Sequence, residues 1–100
     1  MPDAGLFKVL SDSNRLRILE MLSEGERCAC SMLKELEVTQ PTLSYHMNVL
    51  HQCGLVSVTK VGTCSHYSLN KERLDELAEF FTRMAERAGE SRTESEAGGR

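Results

Sequence analysis

Two cysteines separated by one residue, Cys28 and Cys30, are the side chains of this sequence best suited to metal chemistry. Thiolates bind soft ions, so the pair favours trivalent arsenic or antimony first and cadmium or lead after them. Structural zinc needs four nitrogen or sulfur ligands, and no histidine lies within several residues of the pair. Two other interpretations stay open: oxidation of the two thiols, with Arg27 near enough to lower a thiol pKa, or two small half-buried hydrophobic residues.

The spacing of the pair also restricts its backbone. Residues two apart are separated by about 200° around a helix axis, whereas in an extended segment they project to the same side. One ion held by both sulfurs therefore favours an extended segment at Cys28–Cys30, immediately before a helix. Closing such a clamp would reorient that helix, provided that the ion binds the reoriented state more tightly.

The charge distribution identifies a second chemical feature, a segment without acids. The formal net charge is −3, but residues 38–71 contain two Lys or Arg side chains, no Asp or Glu, and all three histidines. A polyanion can approach this segment without meeting carboxylates. We therefore expect nucleic acid to bind here, with few phosphate contacts and a shallow dependence of affinity on salt.

Within this segment, Leu43, Met47 and Leu50 repeat with helical spacing and define an inward face. The polar side chains at the start and on the other side of that helix can bind base edges or phosphates. His46 lies near the apolar edge, where it either bonds internally or contacts a phosphate. The predicted DNA-binding residues are Gln40, Thr42, Ser44, Tyr45, His46 and Asn48, with Lys60 and Arg15 as contacts to the DNA backbone.

The length and composition of the chain limit the number of its domains and indicate its compartment. One hundred residues suffice for one domain, and a chain this short gains from oligomerisation. The N-terminus lacks the basic residues and long apolar run of a secretory signal, and no apolar stretch approaches the ~20 residues of a membrane span. We expect a cytoplasmic protein whose thiols stay reduced.

Capping residues, apolar periods and glycines predict a mainly α domain with a β-hairpin wing. Two short helices with a tight break between them, before an alternating hairpin, are typical of a winged helix-turn-helix. The predicted domain covers residues 1–90, and the polar residues 91–100 are predicted to be a disordered tail. The elements are helices over 4–10, from 15 to Gly25, from about Ser31 to Glu37 and from Thr39 to Gly54, strands at 55–61 and 66–69, and a helix over 71–88.

The stretches LSDSNRLRILEMLS, VTQPTLSYHMNVLHQCGLV and VGTCSHYSLN resemble the ArsR/SmtB family of winged-helix transcriptional repressors. The resemblance extends to about residue 88. It implies a homodimer that binds an inverted-repeat operator in double-stranded DNA, needs no cofactor, and releases the operator when a metal or other inducer binds. Cys28 and Cys30 are similar to the Cys-x-Cys of the arsenic-responsive branch, which implies As(III) or Sb(III) as inducer. Leu33 stands where that branch carries a third cysteine.

The third ligand of a metal site is therefore open, between Cys53, Cys64, a small-molecule thiol and water. Taken alone, Cys53 is expected to fill the core and Cys64 to be an exposed loop thiol. The family's alternative metal site, on the last helix, needs acids and histidine. That helix has acids such as Asp75 and Glu79 but no histidine.

The apolar stripe of the last helix is wider than a small core requires. Together with apolar residues of the first helix it predicts a dimer interface formed by Leu6, Phe7, Leu10, Leu74, Leu77, Phe81 and Met84. The leading hypothesis is thus a dimeric arsenic-responsive repressor. A regulator that responds to thiol oxidation, to cadmium or lead or to no ligand, and more remotely a thiol-disulfide enzyme, are the alternatives. No βαβ pattern precedes Arg27, so we expect no enzyme.

Overall fold

The structure is a computed structural model that describes residues 3–91. Five helices and a hairpin appear in the predicted order, which confirms the winged helix-turn-helix architecture. A short strand before the third helix was not predicted, because two residues are too few to show an alternating pattern. The elements are α1 Ala4–Val9, α2 Ser13–Leu22, β1 Arg27–Cys28, α3 Ala29–Leu36, α4 Gln40–Gln52, β2 Val56–Val61, β3 Cys64–Leu69 and α5 Lys71–Ser91.

Side-chain caps set the beginnings of the helices. The carboxylate of Asp3 accepts a hydrogen bond from the Leu6 N–H at 3.0 Å, and Asp12 accepts from the N–H groups of Asn14 and Arg15. The hydroxyl of Thr39 accepts from the Thr42 N–H. Each cap satisfies an N–H group that has no partner within its own helix.

The turn between α3 and α4 follows from backbone geometry at Glu37. This residue ends α3 in the left-handed region, with φ 57° and ψ 42°. Residues 37–39 then lead directly into α4, whose Leu43, Met47 and Leu50 are buried in the core. The predicted inward face of α4 is confirmed, and its opposite face is left to solvent.

A three-stranded antiparallel sheet, in the order β1-β3-β2, forms the wing and joins it to α3. The β2–β3 hairpin closes through Gly62 and Thr63, and Gly62 adopts φ 63°, a conformation that favours glycine. β1 pairs with β3 through Arg27 opposite Tyr67 and Cys28 opposite His66. Cys28, the residue immediately before α3, is therefore tied to the wing.

The last helix, α5, contacts the rest of the domain through its first half and through Phe80 and Phe81, whose rings lie beside Phe7. Leu77 is buried, and Arg73 donates a hydrogen bond from Nε to the Cys53 carbonyl at 3.0 Å. Every residue over 81–90 is exposed, and the helix continues to Ser91, past the predicted end at Ala88. The remainder of the predicted tail, residues 92–100, lies outside the described residues. No helix among residues 3–91 is both long and apolar enough to cross a membrane.

Candidate thiol site and nucleic-acid interface

Cys28 and Cys30 meet at the junction of β1 and α3. Cys28 is the last residue of β1 and has an extended backbone, whereas Cys30 lies in the first turn of α3. The two Sγ atoms are 2.6 Å apart. The prediction of an extended backbone is correct for Cys28 and wrong for Cys30, because α3 begins at Ala29 rather than near Ser31. The change from strand to helix still places both sulfurs on one side.

The two thiols differ in their readiness to ionise. The hydrogen bond with the Cys30 side chain lowers the pKa of the Cys28 thiol, and the backbone N–H of Cys30 at the helix start acts in the same direction. The same side-chain bond raises the pKa of Cys30. Cys28 is therefore the first thiolate of the pair, with Cys30 as the donor that stabilises it.

Arg27 does not take the role that its position in the sequence suggests. Its guanidinium bonds both carboxylate oxygens of Glu35, at 3.3 and 3.1 Å, and Nε donates to the Ser31 hydroxyl. The charge of Arg27 is thus engaged along α3. Hydrogen bonds within the thiol pair lower the pKa of Cys28, and Arg27 is not among the groups that do so.

A groove of about 270 Å³ opens beside the pair, between α3, α4 and the β2–β3 turn. Cys64 lines this groove with Cys28 and Cys30, so the wing brings a third thiol to the region. Cys64 is exposed, as expected, but it begins β3 instead of lying in the turn. Leu33, which replaces the family's third cysteine, contributes apolar surface to the same groove.

Cys53 lies away from the groove, at the end of α4. It is half-buried, packs against the core and donates from Sγ to the Leu50 carbonyl at 3.4 Å. This placement agrees with the prediction that Cys53 fills the core.

The outer face of α4 presents a row of polar side chains to solvent. Tyr45 is 58% exposed, and Lys60 is exposed on β2 of the wing. The first turn of α4 also directs its backbone N–H groups outward, and such groups attract phosphate. The α4 residues exposed on this face are Gln40, Thr42, Ser44, Tyr45 and Asn48.

Residues 12–58 match the family described as "Bacterial regulatory protein, arsR family". The chain is 47% identical over 72 residues to the arsenical resistance operon repressor of Staphylococcus aureus, covering 72% of this chain and 69% of that protein. The chain belongs to the arsR family of bacterial regulatory proteins.

Solved structures agree with this assignment. An ArsR-like transcriptional regulator from Rhodococcus sp. RHA1 has a TM-score of 0.77 and 31% identity, covering 88% of this arsR-family chain and 81% of its own. A homodimeric winged helix-turn-helix DNA-binding domain from Mycobacterium bovis has a TM-score of 0.68 and 28% identity, covering 83% and 77% of the two chains. The fold and the relatives are those of DNA-binding transcriptional regulators and not of enzymes.

His46, for which an internal bond and a phosphate contact were both open, makes an internal hydrogen bond in this arsR-family chain. His46 is only 7% exposed, and its Nδ1 accepts a hydrogen bond from Arg15 Nε at 3.1 Å. Arg15 also donates to the Val9 carbonyl at 3.2 Å and lies 5.6 Å from the centre of the Tyr45 ring. The buried imidazole of His46 holds Arg15 beside the exposed Tyr45. Arg15 is half-buried, and its contact with DNA stays a prediction.

Of the residues predicted to form the dimer interface of this arsR-family chain, some lie in the core and others on the surface. Leu6 and Leu77 are buried, with 2% and 8% exposure, and belong to the core of one protomer. Phe81 and Met84 are 52% and 45% exposed on α5. Phe7, Leu10 and Leu74 are half-buried against the core. We call the surface formed by Phe7, Phe80, Phe81 and Met84 the α1–α5 face; its ring centres lie 5.3–6.0 Å apart.

Asp75 and Glu79, the two acids of α5 considered for a metal site in this arsR-family chain, are engaged in ion pairs. Asp75 accepts from Lys71 at 2.7 Å, and Glu79 accepts from Arg83 at 2.9 Å. These pairs and the absence of histidine from α5 do not favour the family's alternative metal site on that helix.

Proposed function

We propose that the protein is a cytoplasmic homodimeric repressor that binds an inverted-repeat operator and releases it when As(III) or Sb(III) binds Cys28 and Cys30. The observation that carries the proposal is the 2.6 Å separation of the two Sγ atoms at the first turn of α3. Two thiols on one side can share a soft ion, with cadmium or lead as competitors. Metal–sulfur bonds of about 2.3 Å require the sulfurs to move apart by only about 1 Å.

The position of the pair supports a route from ion to operator. Cys28 precedes α3 and Cys30 lies in its first turn, while the other end of α3 leads through residues 37–39 into α4. A bound ion restrains the beginning of α3 and so acts on the orientation of the helix-turn-helix. Operator release then requires the ion to bind the DNA-incompetent state more tightly, with a coupling of about 1–3 kcal/mol.

Operator binding is supported by the exposed outer face of α4 and by the absence of acids from the segment that contains it. Gln40 and Asn48 can bond adenine edges bidentately, and Thr42 and Ser44 can bond bases or phosphates. Residues 38–71 contain no acid that would repel the DNA. Lys60 is exposed on the wing and supplies a positive charge that can contact the DNA backbone.

A two-fold dimer is supported by the α1–α5 face. Phe81 and Met84 expose large apolar side chains on α5, in the part of the helix where every residue over 81–90 is exposed. Apolar patches of this kind mark protein interfaces, and a two-fold interface lets two copies of one face cover each other. Two α4 helices related in this way meet half-sites about one helical turn of DNA apart, or multiples of it, which implies an inverted repeat.

The deciding experiment measures operator binding with and without arsenite under reducing conditions. A duplex selected by the reduced protein from a random pool is titrated by fluorescence anisotropy. We expect arsenite to release the native chain and the Cys53→Ser control, and to leave the Cys28→Ser, Cys30→Ser double variant bound. Release of the double variant would exclude the pair as the sensor.

Thiol oxidation is a second candidate, favoured by the lowered pKa of Cys28 and its closeness to Cys30. Hydrogen peroxide would take two electrons from the two thiols, giving one disulfide and two water molecules. Operator release by peroxide that dithiothreitol reverses, without release by arsenite, would select this function.

A further inference from the structure

Three of the four cysteines share the groove between α3, α4 and the β2–β3 turn. Cys30 and Cys64 are exposed and Cys28 is half-buried, so an ion in solution can reach all three thiols. The groove also has an apolar wall, to which Leu33 and Met47 contribute. A site of this kind removes a thiolate-bound ion partly from water while leaving a path for its entry.

Strand register explains why the wing directs Cys64 toward the pair. Cys28 pairs with His66 in an antiparallel ladder, so the two side chains lie on the same face of the sheet. Cys64 is two residues before His66 and lies on that face too, diagonal to Cys28 at a Cα separation of about 7–8 Å. Continued by two residues, the same register would set Cys30 opposite Cys64.

Other ligands near the pair are less suitable. His66 shares the face, but its Nδ1 is 3.4 Å from the Glu26 carboxylate. Cys53 does not line the groove, and its Sγ bonds the Leu50 carbonyl. Cys64 lines the groove and is a thiol like the pair itself.

We propose that Cys64 supplies the third thiolate to Cys28 and Cys30, so that a trivalent soft ion ties the wing to α3. The proposal rests on the proposed function and deepens it by naming the complete ligand set. Among residues 3–91, no three Cys, His, Asp or Glu side chains already converge on one metal position, so binding draws Cys64 onto the pair. The adjacent two-residue turn at Gly62 and Thr63 lies at the exposed tip of the hairpin, where little packing opposes that movement.

The electrostatics of the three thiols agree with this arrangement. The pKa of Cys28 is lowered first by the Cys30 side chain and, more weakly, by the side chain of Cys64. The geometric basis remains the shared groove, which Cys64 lines together with Cys28 and Cys30.

The binding reaction is an exchange without change of oxidation state. Arsenous acid, As(OH)3, loses three As–O bonds and gains three As–S bonds to Cys28, Cys30 and Cys64. Each thiol proton leaves with one hydroxide, so three water molecules are released. With only two thiols, one hydroxide stays on arsenic and two water molecules are released.

The third arsenic–sulfur bond, to Cys64 of the wing, gives the ion a second effect on operator binding, through the wing itself. Cys64 pairs with Val61 at the end of the hairpin, and Lys60 pairs with Ser65 beside it. A movement of Cys64 toward α3 carries Lys60 with it. The ion thereby acts on the predicted backbone contact of the wing as well as on α4.

The test uses the full-length reduced protein with two probes, arsenite and phenylarsine oxide. Arsenite can accept three thiolates, whereas phenylarsine oxide keeps its As–C bond and accepts two. We expect arsenite to protect Cys28, Cys30 and Cys64 from alkylation, and arsenic absorption spectroscopy to give three sulfur neighbours. Cys64→Ser should weaken arsenite binding by about 10²-fold, because the third arsenic–sulfur bond, formed within the same molecule, is lost. The same variant should leave phenylarsine oxide binding unchanged. Cys53→Ser is the matched control and should change neither affinity.

The outcomes separate this proposal from the one on which it rests. Native arsenite affinity and operator release in Cys64→Ser would overturn the role of Cys64 and leave the Cys28–Cys30 sensor standing. Loss of arsenite affinity in His66→Ala but not in Cys64→Ser would also overturn it, in favour of the imidazole. A native chain that binds neither arsenical would overturn both proposals. Unchanged phenylarsine oxide binding by Cys64→Ser shows that the variant is folded.

Discussion

Arg15 on α2 donates a hydrogen bond from Nε to Nδ1 of His46 on α4 at 3.1 Å. Because the guanidinium can only donate, the imidazole must accept through Nδ1. The bond joins α2 to α4, the helix predicted to bind DNA, and holds Arg15 beside the Tyr45 ring. The interior of the domain thus restrains a side chain on the surface that is predicted to face DNA.

Replacement of His46 tests this link. His46→Ala leaves Arg15 Nε without its acceptor, and we expect a loss of about 1–3 kcal/mol in the free energy of unfolding, together with weaker operator binding. The slope of log affinity against log salt should stay unchanged, since a buried imidazole neutralises no phosphate. His46→Asn, whose Oδ1 can accept in place of Nδ1, should recover part of both losses, and the exposed His51→Ala is the control. A reduced salt slope would indicate a phosphate contact instead.

Alkylation as a function of pH tests the electrostatics of the thiol pair. The hydrogen bond from the Cys30 side chain lowers the pKa of Cys28, and the same bond raises the pKa of Cys30. Because the thiolate is the nucleophile, iodoacetamide should modify Cys28 at a lower pH than Cys30 over the range of about pH 6–10. Trypsin releases both in one peptide, residues 28–34, whose fragment ions distinguish them.

A variant supplies the control for that experiment. Cys30→Ala removes the side-chain donor, so modification of Cys28 should shift to higher pH. An unchanged profile for Cys28 in this variant would contradict the assignment of the hydrogen bond as the main cause.

The helices could be predicted from sequence because their signals are local. Asp3, Thr39 and Asn70 each accept from an N–H two or three residues later, and the apolar period of α4 needs no knowledge of its partners. β1 could not be predicted, since its two residues become a strand only by pairing with β3. The helix α5 ends at Ser91 and not at the predicted Ala88. It passes through Gly89, although a glycine in a helix costs about 1 kcal/mol.

The residues of the candidate site likewise divide into those that local sequence predicts and those that depend on tertiary contacts. The Cys28–Cys30 pair and the exposed polar face of α4 follow from spacing alone. The presence of Cys64 in the groove depends on the β1–β3 register, and the burial of His46 depends on how α2 packs against α4. Both are consequences of tertiary contacts between residues far apart in the chain.

The capping carboxylate of Asp12 should make part of the stability depend on pH. Partial burial acts to raise its pKa, but the N–H donors of Arg15 and Asn14 outweigh this and lower it. A lowered folded pKa contributes stability above the unfolded value of about 3.9, and that contribution is lost as pH falls through the folded pKa. Asp12→Ala should cost about 1 kcal/mol near neutral pH, and the difference should shrink below about pH 4.

Urea unfolding at fixed protein concentration measures this effect. Asp12→Asn keeps a cap of similar strength but removes the titrating group, so it should be near the native stability at neutral pH. A cost of Asp12→Ala that stays constant through acid pH would show that the charge of the cap contributes nothing.

Introduction of a charge into the α1–α5 face tests the dimer. Phe81→Glu places a carboxylate among apolar side chains, and burial of an unpaired charge opposes association. We expect sedimentation to give a monomer where the native chain gives a dimer, with operator affinity reduced as two half-sites are no longer bound together. Thr82→Glu adds the same charge one residue further, about 100° around the helix, and should remain dimeric. Equal behaviour of the two variants would place the interface elsewhere.

The predicted contacts of Lys60 and Gln40 with DNA differ in kind and can be separated by one pair of variants. A lysine that contacts phosphate carries no sequence information, so Lys60→Ala should weaken binding to operator and to unrelated DNA by the same factor. It should also reduce the salt slope by about 1. A glutamine that bonds an adenine edge contributes to discrimination, so Gln40→Ala should cost about 1–3 kcal/mol on the operator and little on unrelated DNA. The salt slope of Gln40→Ala should stay native. If the two variants gave the same ratio of specific to nonspecific affinity, the wing and α4 would not divide positioning from readout in this way.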